Sequence, residues 1–107
     1  MALGRIDAEE AVDPLIKVLK NKNDDKHVRV GAAVALGTLK NKMAVEPLIN
    51  ILKDRMEDTQ LRISAASSLG NIGDEKAIIH LEAALKDPPD HLKHAVEIAL
   101  RKIKTAK

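Results

Sequence analysis

Cysteine is missing from this chain, and with it disulfides, thiol nucleophiles and cysteine-based zinc sites. Phe, Tyr and Trp are missing too, which removes the stacking platforms that single-stranded nucleic acid needs. Neither sign of charge dominates. Eighteen basic residues face 16 acidic ones for a formal net charge of +2, too weak a field to draw in a polyanion. Long apolar runs are also lacking. The longest stretch free of Asp, Glu, Lys and Arg is Ile63 to Gly73, far below the roughly 20 residues that span a bilayer. Arg5, Asp7, Glu9 and Glu10 interrupt the N-terminal region, so no signal peptide is readable. The expectation is a cytoplasmic protein with neither a membrane nor a nucleic-acid partner. What remains is a chain of 107 residues, 45% apolar and 32% charged, with room for one domain and one core.

That chain is internally repetitive. Ala35-Leu36-Gly37-Thr38-Leu39 recurs as Ser68-Leu69-Gly70-Asn71-Ile72, 33 positions later, and as Ala2-Leu3-Gly4-Arg5-Ile6, 33 positions earlier. Val12-Asp13-Pro14-Leu15-Ile16 recurs as Val45-Glu46-Pro47-Leu48-Ile49 and, weakened, as Ile78 to Glu82. A third block runs Val28-Arg29, Leu61-Arg62 and Leu92-Lys93, its last step shortened to 31 by Asp87-Pro88-Pro89-Asp90. Within each unit the apolar residues keep helical spacing, as in Val12, Leu15, Ile16 and Leu19. No strand alternation appears. The pattern predicts helices over 8–21, 25–39, 42–54, 58–72, 75–87 and 89–104. Asn41, Asp58, Asp74 and Asp90 are candidate caps, and Asp7-Ala8-Glu9-Glu10 reads as a capping box. Pro14 and Pro47 should bend their helices or detach the first turn.

A 33-residue helix pair cannot bury both faces alone, so its neighbours must stack. The pattern Pro47-Leu48-Ile49…Leu52-Lys53-Asp54…Leu61-Arg62…Ala65-Ala66…Leu69-Gly70 resembles HEAT-like repeats, of the short type found in phycobilisome bilin-lyase subunits and many prokaryotic proteins. Tetratricopeptide repeats need aromatic positions, and ankyrin repeats a Thr-Pro-Leu-His signature; both are missing here. The resemblance implies an all-α, right-handed α-α superhelix (solenoid) of about three HEAT-like helix pairs in one domain, 1–107. Its divisions are a partial repeat over 1–6, repeats over 7–39 and 40–72, and a C-terminal capping repeat over 73–107.

Two kinds of column in the repeat carry structural expectations. Ala33 and Gly37 form a strip of small residues that should let the next unit approach closely. The strip continues as Ala66 and Gly70 and ends as Glu97 and Arg101; with Glu82 replacing Ile49, this marks the last unit as a cap. Glu97 and Arg101 are expected to pair at i,i+4. The second column is electrostatic. Arg29, Arg62 and Lys93 stand at helix starts and Asp54 and Asp87 at helix ends, each on the wrong side of the macrodipole. Mutual pairing would explain both, and HEAT-like families are known for such an Asp–Arg ladder.

Chemistry-bearing motifs are sparse. His91 and His94 lie three apart beside Asp90 and Glu97, as in half of a metal site, but nothing fixes a third ligand. HEAT-like enzymes that hydroxylate deoxyhypusine carry His-Glu dipeptides as iron ligands; this chain has none. Ser64, Ser67, Ser68, Thr38 and Thr59 have no partnered base, and the glycines form no phosphate loop. The chain therefore reads as a non-enzyme without cofactor or metal. The resemblance implies a non-catalytic protein–protein interaction module or scaffold. Its alternative is an accessory subunit related to bilin-lyase HEAT-like proteins, assisting chromophore attachment or another modification. The second helices of such solenoids line the concave side, which makes Val30, Val34, Ile63, Ser67, His94 and Ile98 candidates for contact with a partner protein. Because residues 1–6 supply only a fragment of a preceding helix, the N-terminal end should fray or be covered in a weak homodimer.

Overall fold

The computed structural model describes residues 2–105, with side chains from Glu10 onward. Six α-helices follow in order: α1 (Ala2–Lys20), α2 (Lys26–Leu39), α3 (Val45–Lys53), α4 (Thr59–Ile72), α5 (Ile78–Ala84) and α6 (Asp90–Thr105). Single 3-10 turns, Lys42–Ala44 and Glu75–Ala77, precede α3 and α5. No strand occurs among the described residues.

Local chemistry sets the helix starts. The Asp25 carboxylate accepts from the His27 amide at 2.7 Å, and Asp58 accepts from the Leu61 amide at 3.1 Å, each satisfying an orphan donor. Asn41 and Asp74 do the same for Met43 and Lys76, and there the turn tightens, with Ala44 bonded back to Asn41 and Ala77 to Asp74. The detached turn before α3 had been expected from Pro47. Yet the identical break precedes α5, where His80 replaces that proline, and α1 runs unbroken through Pro14. The proline is therefore not what detaches the turn. Asp90 is itself the first residue of α6, whose Leu92 and Lys93 amides donate to the Pro89 carbonyl.

The N-terminus departs from expectation. A helix end at 1–6 and a new start near Asp7 were predicted, but the backbone is one helix from Ala2 to Lys20. The capping box therefore starts nothing, and the side chains of Leu3, Gly4 and Ile6 lie outside the described residues.

Helix ends explain one more residue. Lys40 closes α2 at φ 55°, and Gly73 closes α4 at the equivalent place at φ 78°. The left-handed conformation costs an L-residue about 1–2 kcal/mol, part of which glycine returns as backbone entropy. Lys40→Gly is thus expected to stabilise the protein by about 0.5–1 kcal/mol, read as a higher urea midpoint at constant slope.

The second helices form the closely packed layer. α2 lies along α4 and α4 along α6, while the first helices α1, α3 and α5 meet each other more loosely. Gly37 and Gly70 permit this approach. A Cβ on Gly37 would stand 2.8 Å from the Ser68 Cα, and one on Gly70 would stand 2.8 Å from the Ala99 Cα. Ser68, fully enclosed, donates its hydroxyl to the Ala33 carbonyl at 2.6 Å. Leu19, Leu36, Leu48, Leu52, Leu61, Leu69, Leu81 and Leu92 fill the core without exposure. Aliphatic branching replaces the absent aromatics.

Candidate interaction surface

Parallel alignment of α2, α4 and α6 turns the sequence columns into rows of side chains. One row is Val34, Ser67 and Ile98, and all three are exposed, Val34 by 52% and Ile98 by 38%. The other row is Val30, Ile63 and His94. Here His94 is exposed, but Val30 and Ile63 are half-buried and packed against the core. Those two frame the surface instead of projecting from it. The structure therefore brings together an exposed strip of modest size, apolar at both ends and polar in the middle.

A network of charges locks the loops at one end of the stack. Arg29 donates from Nε to the Leu19 carbonyl at 3.0 Å and grips both Glu57 oxygens, at 3.0 and 2.7 Å. Arg62 repeats this one unit on, donating to the Leu52 carbonyl at 3.0 and 2.7 Å and to Asp87 Oδ2 at 2.6 Å. The apparent dipole conflict disappears here. Each arginine begins its own helix but faces the C-terminal carbonyls of the helix before it, where a cation is favoured. Arg29, Arg62 and Asp87 are buried, so these are charge-assisted bonds in a low-dielectric setting.

Two members of the expected ladder stand elsewhere. Asp54 does not meet Arg29. It accepts from the Met56 amide and pairs with Lys22 at 3.1 Å, because Glu57, with a longer side chain three residues on, reaches the guanidinium first. Lys93 is exposed and makes no ion pair among the described residues. Nor do Glu97 and Arg101 pair; both are exposed, and Lys104 instead reaches Glu82 at 3.4 Å.

The ladder has a direction. Lys22, Lys26, Arg29, Arg55 and Arg62 each reach an acid of the next unit, namely Asp54, Asp58, Glu57 and, for the last two, Asp87. Burial alone would raise the Asp87 carboxyl, but the Arg62 hydrogen bond and the charges of Arg55 and Arg62 outweigh it and hold it below the usual carboxylate range. Asp58 is likewise lowered, burial being outweighed by the Leu61 amide and Lys26. Asp54 is lowered by the Lys22 hydrogen bond and the Met56 amide.

Among the described residues no three His, Asp or Glu side chains gather as a metal site would require, and His91 and His94 are exposed on α6. Among the same residues, no helix is long and apolar enough to cross a membrane. Sequence reasoning missed Glu57 and Arg55, although Asp24 and Lys22 stand 33 positions earlier with the same charges and could have flagged both. It also missed the exposure of Met56 (93%) and Ile79 (69%).

The stacked helix pairs and directional ladder define a helical-repeat solenoid. The chain belongs to the HEAT repeat family, whose model matches residues 1–55 and 22–101. Its architecture is the all-α superhelix of that family. No curated protein matches. Among solved structures, human deoxyhypusine hydroxylase in complex with glycerol is similar, at 19% identity and a TM-score of 0.68, covering 97% of this chain. The chain spans 47% of that one. At this identity the likeness is one of fold.

Proposed function

We propose that this chain is a non-catalytic protein-interaction module that contacts a partner protein through the exposed strip of its second helices. The observation that carries this reading is the row Val34, Ser67 and Ile98, one residue from each second helix, aligned and open to solvent. β-branched residues lose χ1 freedom in a helix, and exposed ones gain no burial in return, so contact with a partner accounts for Val34 and Ile98. Interface energy concentrates in a few desolvated residues, which suits a strip this small. His94 adds an exposed polar group beside it.

The test is a pair of substitutions at the exposed positions. Val34→Lys with Ile98→Lys should lower partner recovery about tenfold or more, read by quantitative mass spectrometry on captured complexes, while helical circular dichroism stays unchanged. Undiminished recovery would remove the strip as the site. Ile63 is unsuitable for this purpose, since its half-buried side chain supports the core.

A further inference from the structure

We infer that the hollows between successive first helices bind an acidic segment of a partner protein, held extended with its carboxylates about one helix pair apart. The first hollow, about 210 Å³, lies between α1 and α3 and is lined by Lys20, Lys22, Pro47, Ile51 and Asp54. The second, about 190 Å³, lies between α3 and α5 and is lined by Lys53, Arg55, His80, Ala84 and Asp87. Each of these residues stands 33 positions after its counterpart in the first. The repeat has built one hollow twice. Both lie between described helix pairs, so neither owes its opening to where the described residues begin or end.

The occupant follows from charge and spacing. The acids on these walls already hold cations: Asp54 has Lys22, Glu57 has Arg29, and Asp87 has Arg55 and Arg62. One lysine per hollow, Lys20 and Lys53, is left exposed without an ion pair among the described residues, and Lys86 continues the column. Lys53 has a complete helix pair on either side and is still unpaired, so neighbouring units do not satisfy this column. A helix C-terminus favours a cation, but that supplies neither a counter-anion nor a hollow beside it. Packed helices stand roughly 8–10 Å apart. A polyproline-II segment rises about 3.1 Å per residue and repeats its face every third residue, so acids at i and i+3 lie ~9 Å apart and match Lys20 and Lys53. Pro47, Ile51 and Ala84 give apolar walls to the residues between those acids. Met56, 93% exposed on the loop dividing the hollows, adds an adaptable apolar contact on the same path. Nucleic acid fits less well. No aromatic residue is there to stack bases, and Asp54, Glu57 and Asp87 would face an unbroken chain of phosphates.

Fluorescence anisotropy of a labelled peptide of Glu-Pro-Pro repeats, titrated with the full chain, is the test. Binding should saturate with a Kd below about 1 mM and weaken as salt rises from about 0.05 to about 0.5 M. Lys20→Glu and Lys53→Glu should each weaken it roughly fivefold, and the double variant should bind a Lys-Pro-Pro peptide instead. All three variants change exposed side chains, so helical circular dichroism should not move. Lys76→Glu, at an exposed lysine in the 3-10 turn before α5, should leave binding unchanged. No saturation by about 1 mM, or equal binding by wild type and the double variant, overturns the inference. So does equal affinity for a peptide whose glutamates are consecutive, which would mean attraction without register. Tighter binding of a single-stranded oligonucleotide or an anionic lipid vesicle than of the peptide would overturn the choice of a protein segment. Val34→Lys with Ile98→Lys should not weaken peptide binding, so the hollows and the strip on the second helices stand or fall separately.

Discussion

Gly70→Val is expected to destabilise the protein by about 3 kcal/mol, near the upper end for overpacking a close contact. Helix propensity alone predicts the opposite sign, since glycine is about 1 kcal/mol worse than alanine in a helix interior. Packing decides. A Cβ at Gly70 would stand 2.8 Å from the Ala99 Cα and 3.0 Å from its Cβ, and neither can rotate away, so α4 and α6 must separate. Each kcal/mol is worth roughly 4–8 °C in a domain of this size, so melting should fall by about 12 °C or more. Gly31→Val, at a glycine with open space around it, is the internal control and should be near neutral in dilute protein. Equal effects at the two positions would contradict the assigned packing.

Arg62→Leu should cost about 3 kcal/mol at neutral pH. Removing one partner of a buried ion pair leaves the other charge uncompensated, typically at 3–5 kcal/mol. The lower end applies because Arg55 still lies 2.6 Å from Asp87 Oδ1. By contrast Lys22→Ala breaks an exposed pair and should change stability by less than about 1 kcal/mol. The sign with pH follows from Asp87, whose folded carboxyl is held below its ordinary value. A depressed carboxyl contributes stability above its unfolded pKa, about 3.9, and loses it as pH falls through the folded value. Wild type should therefore weaken below about pH 4, and the gap to Arg62→Leu should narrow, since a protonated Asp87 no longer needs the arginine. Urea titrations at neutral and acid pH measure both slopes. A gap of constant size would show that Arg62 acts through packing alone.

The candidate strip was only half legible. Repeat columns placed Val34, Ser67 and Ile98 on one line because helix periodicity and a period of 33 are both written along the chain. Whether a column member projects or sinks depends on the neighbouring helix pair, and this is why Val30 and Ile63 proved half-buried. The ladder divides the same way. Arg62 and Asp87 were readable as misplaced charges, whereas Glu57 was not. Nothing in the sequence says that its reach across the loop lets it displace Asp54 from Arg29.

What the sequence by itself determined is the helical solenoid and its close approaches. Apolar spacing selects helices, the 33-residue period forces identical faces to stack, and Gly37 and Gly70 announce where backbones nearly touch. Tertiary structure alone decided the pairing of charges, the continuity of α1 through Pro14, and the emptiness around Gly31. Those depend on distances between units that lie some thirty residues apart in the chain but side by side in space. A local pattern of residue types contains no measure of such distances.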